Sequence, residues 1–180
     1  HVPHKKTDGR GYRRMFTIAS RPGVTSVTMI TRHPEPASTF KKTLQKLPIG
    51  RQIRITGVWG DFTLPKDPKQ KVLLVGGGVG VTPFMSHLAW LKHTGQVRDI
   101  VLVYSNRTMN DAINLDEYKS IAKVILHEGV LTNEALKNYV GDIAKRQVYV
   151  SGPPVMVDAV TKQAQQLGAS SVHRDFFAGY

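Results

Sequence analysis

A chain of 180 residues, 41% hydrophobic and 21% charged, has enough apolar content to build a core, which excludes a disordered segment. It contains no cysteine, which excludes disulfides, thiolate metal sites and cysteine-ligated iron–sulfur clusters. No run approaches the ~18 apolar residues of a membrane span and no secretory signal is visible, so a cytoplasmic location is expected.

A formal net charge of +12 points to acidic partners, an anionic membrane surface or nucleic acid. The basic residues gather early, in His4-Lys5-Lys6, Arg10-Gly11-Tyr12-Arg13-Arg14, Lys41-Lys42 and residues 66–71. No helix-turn-helix, zinc or aromatic RNA-binding motif accompanies them. A solvated basic face, or a docking surface for an acidic partner, therefore ranks ahead of nucleic acid.

In chain order, β-type runs come first, at residues 15–20, 24–31 and 52–57. Between the last two, residues 39–47 carry Phe40, Leu44 and Leu47 at helical spacing, with Ser38-Thr39 as a cap and a phosphate seat. In Arg14-Met15-Phe16-Thr17 the period-two rule sends Arg14 and Phe16 to one face and Thr17 to the other. Trp59-Gly60-Asp61-Phe62 reads as a tight turn into a short final strand. So few strands cannot close a barrel, and the chain starts on His1 without a methionine. The first half is thus expected to be incomplete, with earlier strands missing.

Past residue 69 strands and helices alternate. Strands are predicted at 71–75, 100–105, 123–127, 147–151 and 171–176, and helices at 83–94, 111–121, 133–139 and 154–167. That alternation predicts a doubly wound parallel sheet, giving two domains at residues 1–68 and 69–180.

The most telling stretch opens the second half. An apolar run, Val72-Leu73-Leu74-Val75, meets Gly76-Gly77-Gly78, then Gly80 and Thr82-Pro83. This reads as a buried strand, a glycine turn and a helix start, with Thr82 as N-cap and Pro83 at the first helical position. Such a turn favours a phosphate. It departs from the G-x-G-x-x-G fingerprint, because Val81 stands where the last glycine belongs. Ser151-Gly152-Pro153-Pro154-Val155-Met156 repeats the logic of strand, glycine turn and proline-started helix.

Together these segments resemble the ferredoxin–NADP reductase superfamily of FAD-containing electron-transfer enzymes. Arg14, Phe16 and Thr17 match its R-x-[YF]-[ST] flavin motif. Gly76, Gly77, Gly78, Gly80, Thr82 and Pro83 match its G-G-G-x-G-x-T-P motif. Gly152, Pro153, Pro154 and Met156 match C-G-P-P-x-M, with Ser151 in place of cysteine. The acidic–aromatic ending appears as Asp175-Phe176-Phe177-Ala178-Gly179-Tyr180.

The resemblance implies a five-stranded parallel NAD(P)-binding domain preceded by a partial antiparallel flavin-binding β-barrel. It implies that Arg14 meets the FAD pyrophosphate, Phe16 packs along the flavin, Thr17 bonds near flavin N5 and Ser38-Thr39 hold phosphate. It implies hydride transfer from NAD(P)H to FAD beside Thr17, Ser151 and a terminal aromatic, Phe177 or Tyr180. Electrons then pass to an acceptor, such as an acidic ferredoxin or flavodoxin or a membrane redox partner reached through a preceding region.

The strand of residues 100–105 runs on into Asn106, Arg107 and Thr108 without an acid, so Arg107 aided by Ser105 suggests a 2′-phosphate and NADP ahead of NAD. The alternative is a non-catalytic nucleotide-binding or interaction module derived from this fold. Trp59 and Trp90 are expected in the core. No histidine spacing beyond His1 and His4 suggests a metal site.

Overall fold

The computed structural model describes residues 8–9, 11–33 and 35–177. These fall into two compact units. One holds the described residues up to Phe16 together with Thr31–Asp61, and the other holds Thr17–Ile30 and everything from Phe62 onward.

The larger unit is an α/β sandwich. Strands β1 (Val72–Gly77), β2 (Ile100–Asn106), β3 (Lys123–Glu128), β4 (Gln147–Gly152) and β5 (Val172–Phe176) form one parallel sheet in the order β3-β2-β1-β4-β5. Helices α2 (Thr82–Thr94), α3 (Asn133–Tyr139) and α4 (Pro154–Gln166) connect them. Every residue of β1 and β2 is buried, which is why both read as unbroken apolar runs. Alternate side chains feed two cores. Val72 and Leu74 pack with Phe84, Leu88 and Leu102, while Leu73 and Val75 pack with Leu136, Val150 and Val157.

The helix expected at 111–121 is absent. Two isolated 3₁₀ turns, Met109–Asp111 and Asp116–Tyr118, stand there instead. The amides that would build the helix bond elsewhere, Ile113 N–H to the Tyr104 hydroxyl at 3.1 Å and Asp116 N–H to Asn114 Oδ1 at 2.8 Å. Leu115 and Tyr118 still reach the core, so the helical spacing of apolar residues is met without a helix.

At the N-terminal end of the sheet, Arg146 ties three connections together. Its Nε and Nη2 donate to Asp142 at 2.6 and 3.1 Å, and its Nη1 to Asp99 Oδ1 at 2.8 Å and the Val72 carbonyl at 3.2 Å. Lys71 adds its ammonium at 3.0 Å from Asp142 and 3.3 Å from Asp99.

On the α2 face, His87 stacks on Phe62 with Phe84 beside it, and its Nδ1 has no hydrogen-bond partner. Burial holds its pKa down, from 6.5 to about 4. The unfolded chain therefore binds this proton more tightly than the folded one. Stability is expected to fall as pH drops from 6.5 to about 4. His87→Phe should flatten that limb of an equilibrium urea titration repeated across pH.

The β-type runs of the first half do not pair into a sheet. Among the described residues one antiparallel bridge, Ile18↔Met29, marks the runs at 15–20 and 24–31. It is braced by Ala19 N–H to the Thr28 carbonyl at 2.8 Å and Ser86 Oγ to the Ser20 carbonyl at 2.8 Å. Residues 52–57 and 62–64 are irregular. Ile53 and Ile55 remain exposed, since these residues join no ladder.

In the smaller unit α1 (Thr39–Gln45) ends two residues earlier than expected. Its buried residue is Phe40, with the Phe16 ring 6.0 Å away. Trp59 and Trp90 were expected in the core and are 76% and 41% exposed. Trp59 folds back over Gly57, where a Cβ would overlap the indole.

Candidate functional site

The order β3-β2-β1-β4-β5 means that the chain winds outward from β1 through β2 to β3, then returns to the other side of β1. The crevice between the carboxyl ends of β1 and β4 is therefore the topological switch point, where open α/β sheets bind ligands. Two of the sequence motifs end there. Gly76 pairs in register with Ser151, and Gly77 with Ser105 on the other side.

The glycines of the first turn have different reasons. Gly78 takes φ 54°, a left-handed conformation that begins the 3₁₀ turn Gly78–Val81. Gly80 packs flat on β4, where a Cβ would overlap the Ser151 carbonyl oxygen and come within 2.5 Å of Gly152 Cα. At Gly77 a Cβ would overlap Met156 Sδ and stand 3.2 Å from Pro153 Cδ. The glycine turn and the Ser-Gly-Pro-Pro turn are thus pressed against each other, backbone to backbone.

The helix cap differs from the sequence reading. Val81 occupies the N-cap position, Thr82 is the first residue of α2 and Pro83 the second. The Thr82 hydroxyl donates back to the Val79 carbonyl at 2.8 Å instead of accepting an amide. The 3₁₀ turn runs straight into α2, so the helix begins one residue sooner than a threonine cap allows. Pro154 opens α4 after Pro153, as expected.

Around the crevice, Ser151 is fully buried and its Oγ has no hydrogen-bond partner. Asp175 stands beside it in register on β5, and burial pushes that carboxyl up from its ordinary range. Phe177 N–H donates to the Gly152 carbonyl at 3.2 Å, which holds Phe177 beside this turn. Tyr180 lies outside the described residues.

Ser105 is buried, and its hydroxyl donates to the Gly129 carbonyl at 2.9 Å. Gly129 N–H bonds in turn to the Asn106 carbonyl at 2.7 Å. Arg107 is exposed just beyond. Asn106, 5% exposed, keeps a buried Nδ2 without a partner at the end of β2. Sequence reasoning passed over Asn106 and gave Asp175 no role. The signal available for both was position alone, at the carboxyl ends of strands.

In the smaller unit, Arg14, Phe16 and Thr39 meet around Phe40. The Arg14 guanidinium lies 4.9 Å from the Phe40 ring centroid. Ser38 Oγ accepts from Lys41 N–H at 3.2 Å, a helix cap. Thr39 Oγ1 accepts from Asp8 N–H at 3.1 Å. Arg14 Nη2 donates to both Asp8 oxygens, at 2.6 and 2.8 Å, and Nη1 to the Gly11 and Arg13 carbonyls at 3.0 and 2.7 Å. This donor set suits an anion, since a carboxylate already occupies it bidentately. It fits the pyrophosphate of FAD in that chemical sense. Thr17 lies in the other unit, beside the Ile18–Met29 bridge. Among the described residues no cluster of potential ligands suits a metal ion, and no helix is long and apolar enough to cross a membrane.

Residues 74–128 match the family described as "Oxidoreductase NAD-binding domain". The NADH oxidoreductase HCR of Escherichia coli K12 is 29% identical over 174 residues, covering 91% of this chain and 54% of that protein. The ferredoxin-NADP+ reductase of Plasmodium falciparum superposes with TM-score 0.73 at 16% identity, covering 98% of this chain and 80% of that one. Residues 74–128 thus carry an oxidoreductase NAD-binding domain, and the chain shares the fold of ferredoxin–NADP reductases. The Amycolatopsis cytochrome P450 reductase has the same fold, with TM-score 0.80 at 21% identity over 96% of this chain and 59% of that one. The chain spans about half the length of the curated relatives it matches.

Proposed function

We propose that this chain is the NAD(P)H-handling part of a flavin-dependent oxidoreductase, taking a hydride from the nicotinamide into FAD and sending electrons to a redox partner. The observation that carries the reading is Ser151. Its hydroxyl is buried and unpartnered at the switch point, between two turns that pack so closely that Gly80 admits no Cβ. A buried hydroxyl without a partner costs about 1–3 kcal/mol, which a bound carboxamide or ribose would recover.

In this reading the Gly76–Gly80 turn admits the dinucleotide pyrophosphate, helped by Thr82 and Pro83. Gly152, Pro153, Pro154 and Met156 hold the wall opposite, and a terminal aromatic, Phe177 or Tyr180, covers the nicotinamide side. Arg14, Ser38 and Thr39 hold the FAD pyrophosphate, while Phe16 and Thr17 line the flavin. When bound, FAD supplies a hydride acceptor that releases electrons singly. The net charge of +12 supports an acidic electron acceptor of the ferredoxin or flavodoxin kind. The E. coli relative's name, an NADH oxidoreductase, supports the nicotinamide-dependent half of this reading.

Bleaching of the flavin band by NADPH or NADH in the FAD-loaded chain under anaerobic stopped flow is the expected result; an unbleached, flavin-loaded chain would sink the proposal. Exposed Arg107 and the absence of an acid after β2 support NADPH as donor. Arg107→Ala should lower kcat/KM for NADPH by about tenfold and leave NADH nearly unchanged, the loss of one charge-assisted bond. A wild-type NADPH/NADH ratio below one would reverse that assignment.

A second reading, a non-catalytic nucleotide-binding module, is favoured by one observation: the Arg14 Nη hydrogens are already engaged within the unit. Stoichiometric FAD in the purified chain would exclude it.

A further inference from the structure

We infer that Asp8 is a built-in competitor at the phosphate-binding face of Arg14, and that FAD binding is an exchange in which pyrophosphate displaces the Asp8 carboxylate. The inference rests on the flavin reading above. An arginine offers five N–H donors in a fixed fork. Here four are directed at Asp8 Oδ1, Asp8 Oδ2, the Gly11 carbonyl and the Arg13 carbonyl. A pyrophosphate seeking the same bidentate face finds a carboxylate of the same shape and sign in place.

The contact is built rather than incidental. Arg14 and Asp8 side chains are 13% and 26% exposed, so the pair is partly withdrawn from water. Asp8 is held twice more by its backbone, through its N–H on Thr39 Oγ1 at 3.1 Å and its carbonyl, which accepts from Gly11 N–H at 2.9 Å. One short turn thus covers Arg14 and Thr39, both residues that hold phosphate in the flavin reading.

A Cβ at Gly9 or Gly11 would meet nothing within 4 Å, and Gly11 has φ 65°. Displacing Asp8 leaves Arg14 anchored over Phe40 at 4.9 Å. The guanidinium therefore keeps its orientation while its partner changes. Asp8 sets cofactor affinity without contributing to the seat itself.

Titration of FAD into the full chain, followed by flavin fluorescence, tests the exchange on wild type, Asp8→Asn and Arg14→Ala. Asp8→Asn keeps the shape and removes the charge; its Kd for FAD should fall by about tenfold, the size of one partly buried arginine–carboxylate pair. Arg14→Ala should lose most affinity with Asp8 present or replaced. Inorganic pyrophosphate, titrated by calorimetry in parallel, should also bind Asp8→Asn more tightly than wild type.

An Asp8→Asn chain that binds FAD equally or more weakly overturns the exchange and makes Asp8 a positioning residue, leaving the flavin reading intact. If neither chain binds FAD but Asp8→Asn still gains pyrophosphate affinity, the occupied anion seat stands and the flavin reading fails. If neither gain is seen, both fall. Circular dichroism melts of the two variants show whether a loss reflects folding.

Discussion

Replacing Gly80 by alanine is expected to destabilise the chain by about 2–3 kcal/mol and to remove NAD(P)H binding, the effect of forcing a methyl group into a packed contact. The added Cβ would overlap the Ser151 carbonyl oxygen and stand 2.5 Å from Gly152 Cα and 2.6 Å from the Ser151 carbonyl carbon. All three atoms are backbone, so no side chain can swing aside. Either β4 moves from β1, breaking the Gly76–Ser151 register, or the 3₁₀ turn lifts away and closes the crevice. Urea denaturation and a nucleotide titration on the same variant measure both effects. Gly141→Ala, where a Cβ meets nothing within 4 Å, should change neither. A Gly80→Ala chain of wild-type stability and affinity would show that the two turns are not in contact.

Arg146→Met should cost about 3 kcal/mol, because one partner of a buried ion pair is removed and the rest is left behind. The arginine side chain is only 7% exposed, while Asp99 and Asp142 are 45% and 31% exposed. Those carboxylates can rehydrate in part; the Val72 carbonyl loses the bond from Arg146. The expected signature is a lower urea midpoint with an unchanged slope.

The same cluster gives the chain an acid limit. The Arg146 hydrogen bonds and the Lys71 ammonium hold Asp142 down to about 2 from 3.8. A depressed carboxylate stabilises the fold fully above its unfolded pKa and loses that contribution as pH falls through the folded one. The loss therefore runs from pH 3.8 to about 2, and Asp142→Asn should remove it.

What the sequence disclosed followed from where the free energy lies. The strands β1, β2 and β4 are buried on both faces, and such strands announce themselves as apolar runs, ended by glycine in β1 and β4. Residues 111–121 misled because Leu115 and Tyr118 have the spacing of a helix face. Burial needs only that spacing, whereas the helix needs amides that Tyr104 and Asn114 have captured.

In the first half, Ile53 and Ile55 have the composition of a strand, but pairing is a property of two segments and composition describes one. The sequence places Arg14 beside Phe16 on one strand face but does not show Asp8 as its partner. An acid six residues away becomes a partner only through the turn that the Gly11 N–H closes on the Asp8 carbonyl. Ser105 was marked for a phosphate on residue type, yet its hydroxyl faces the Gly129 carbonyl.

The central position of β1 bears on how the protein is made. β1 pairs with β2, which follows it closely, and with β4, which is synthesised after β2, β3 and α3. A chain emerging from the ribosome therefore exposes one edge of Val72-Leu73-Leu74-Val75 through most of the synthesis of this unit. Parallel pairings of such long range form slowly, and an open apolar edge is a template for association with other chains. Chaperone demand should accordingly end when Gln147–Gly152 leaves the exit tunnel, and a nascent chain stalled just before that point should aggregate or be held most strongly.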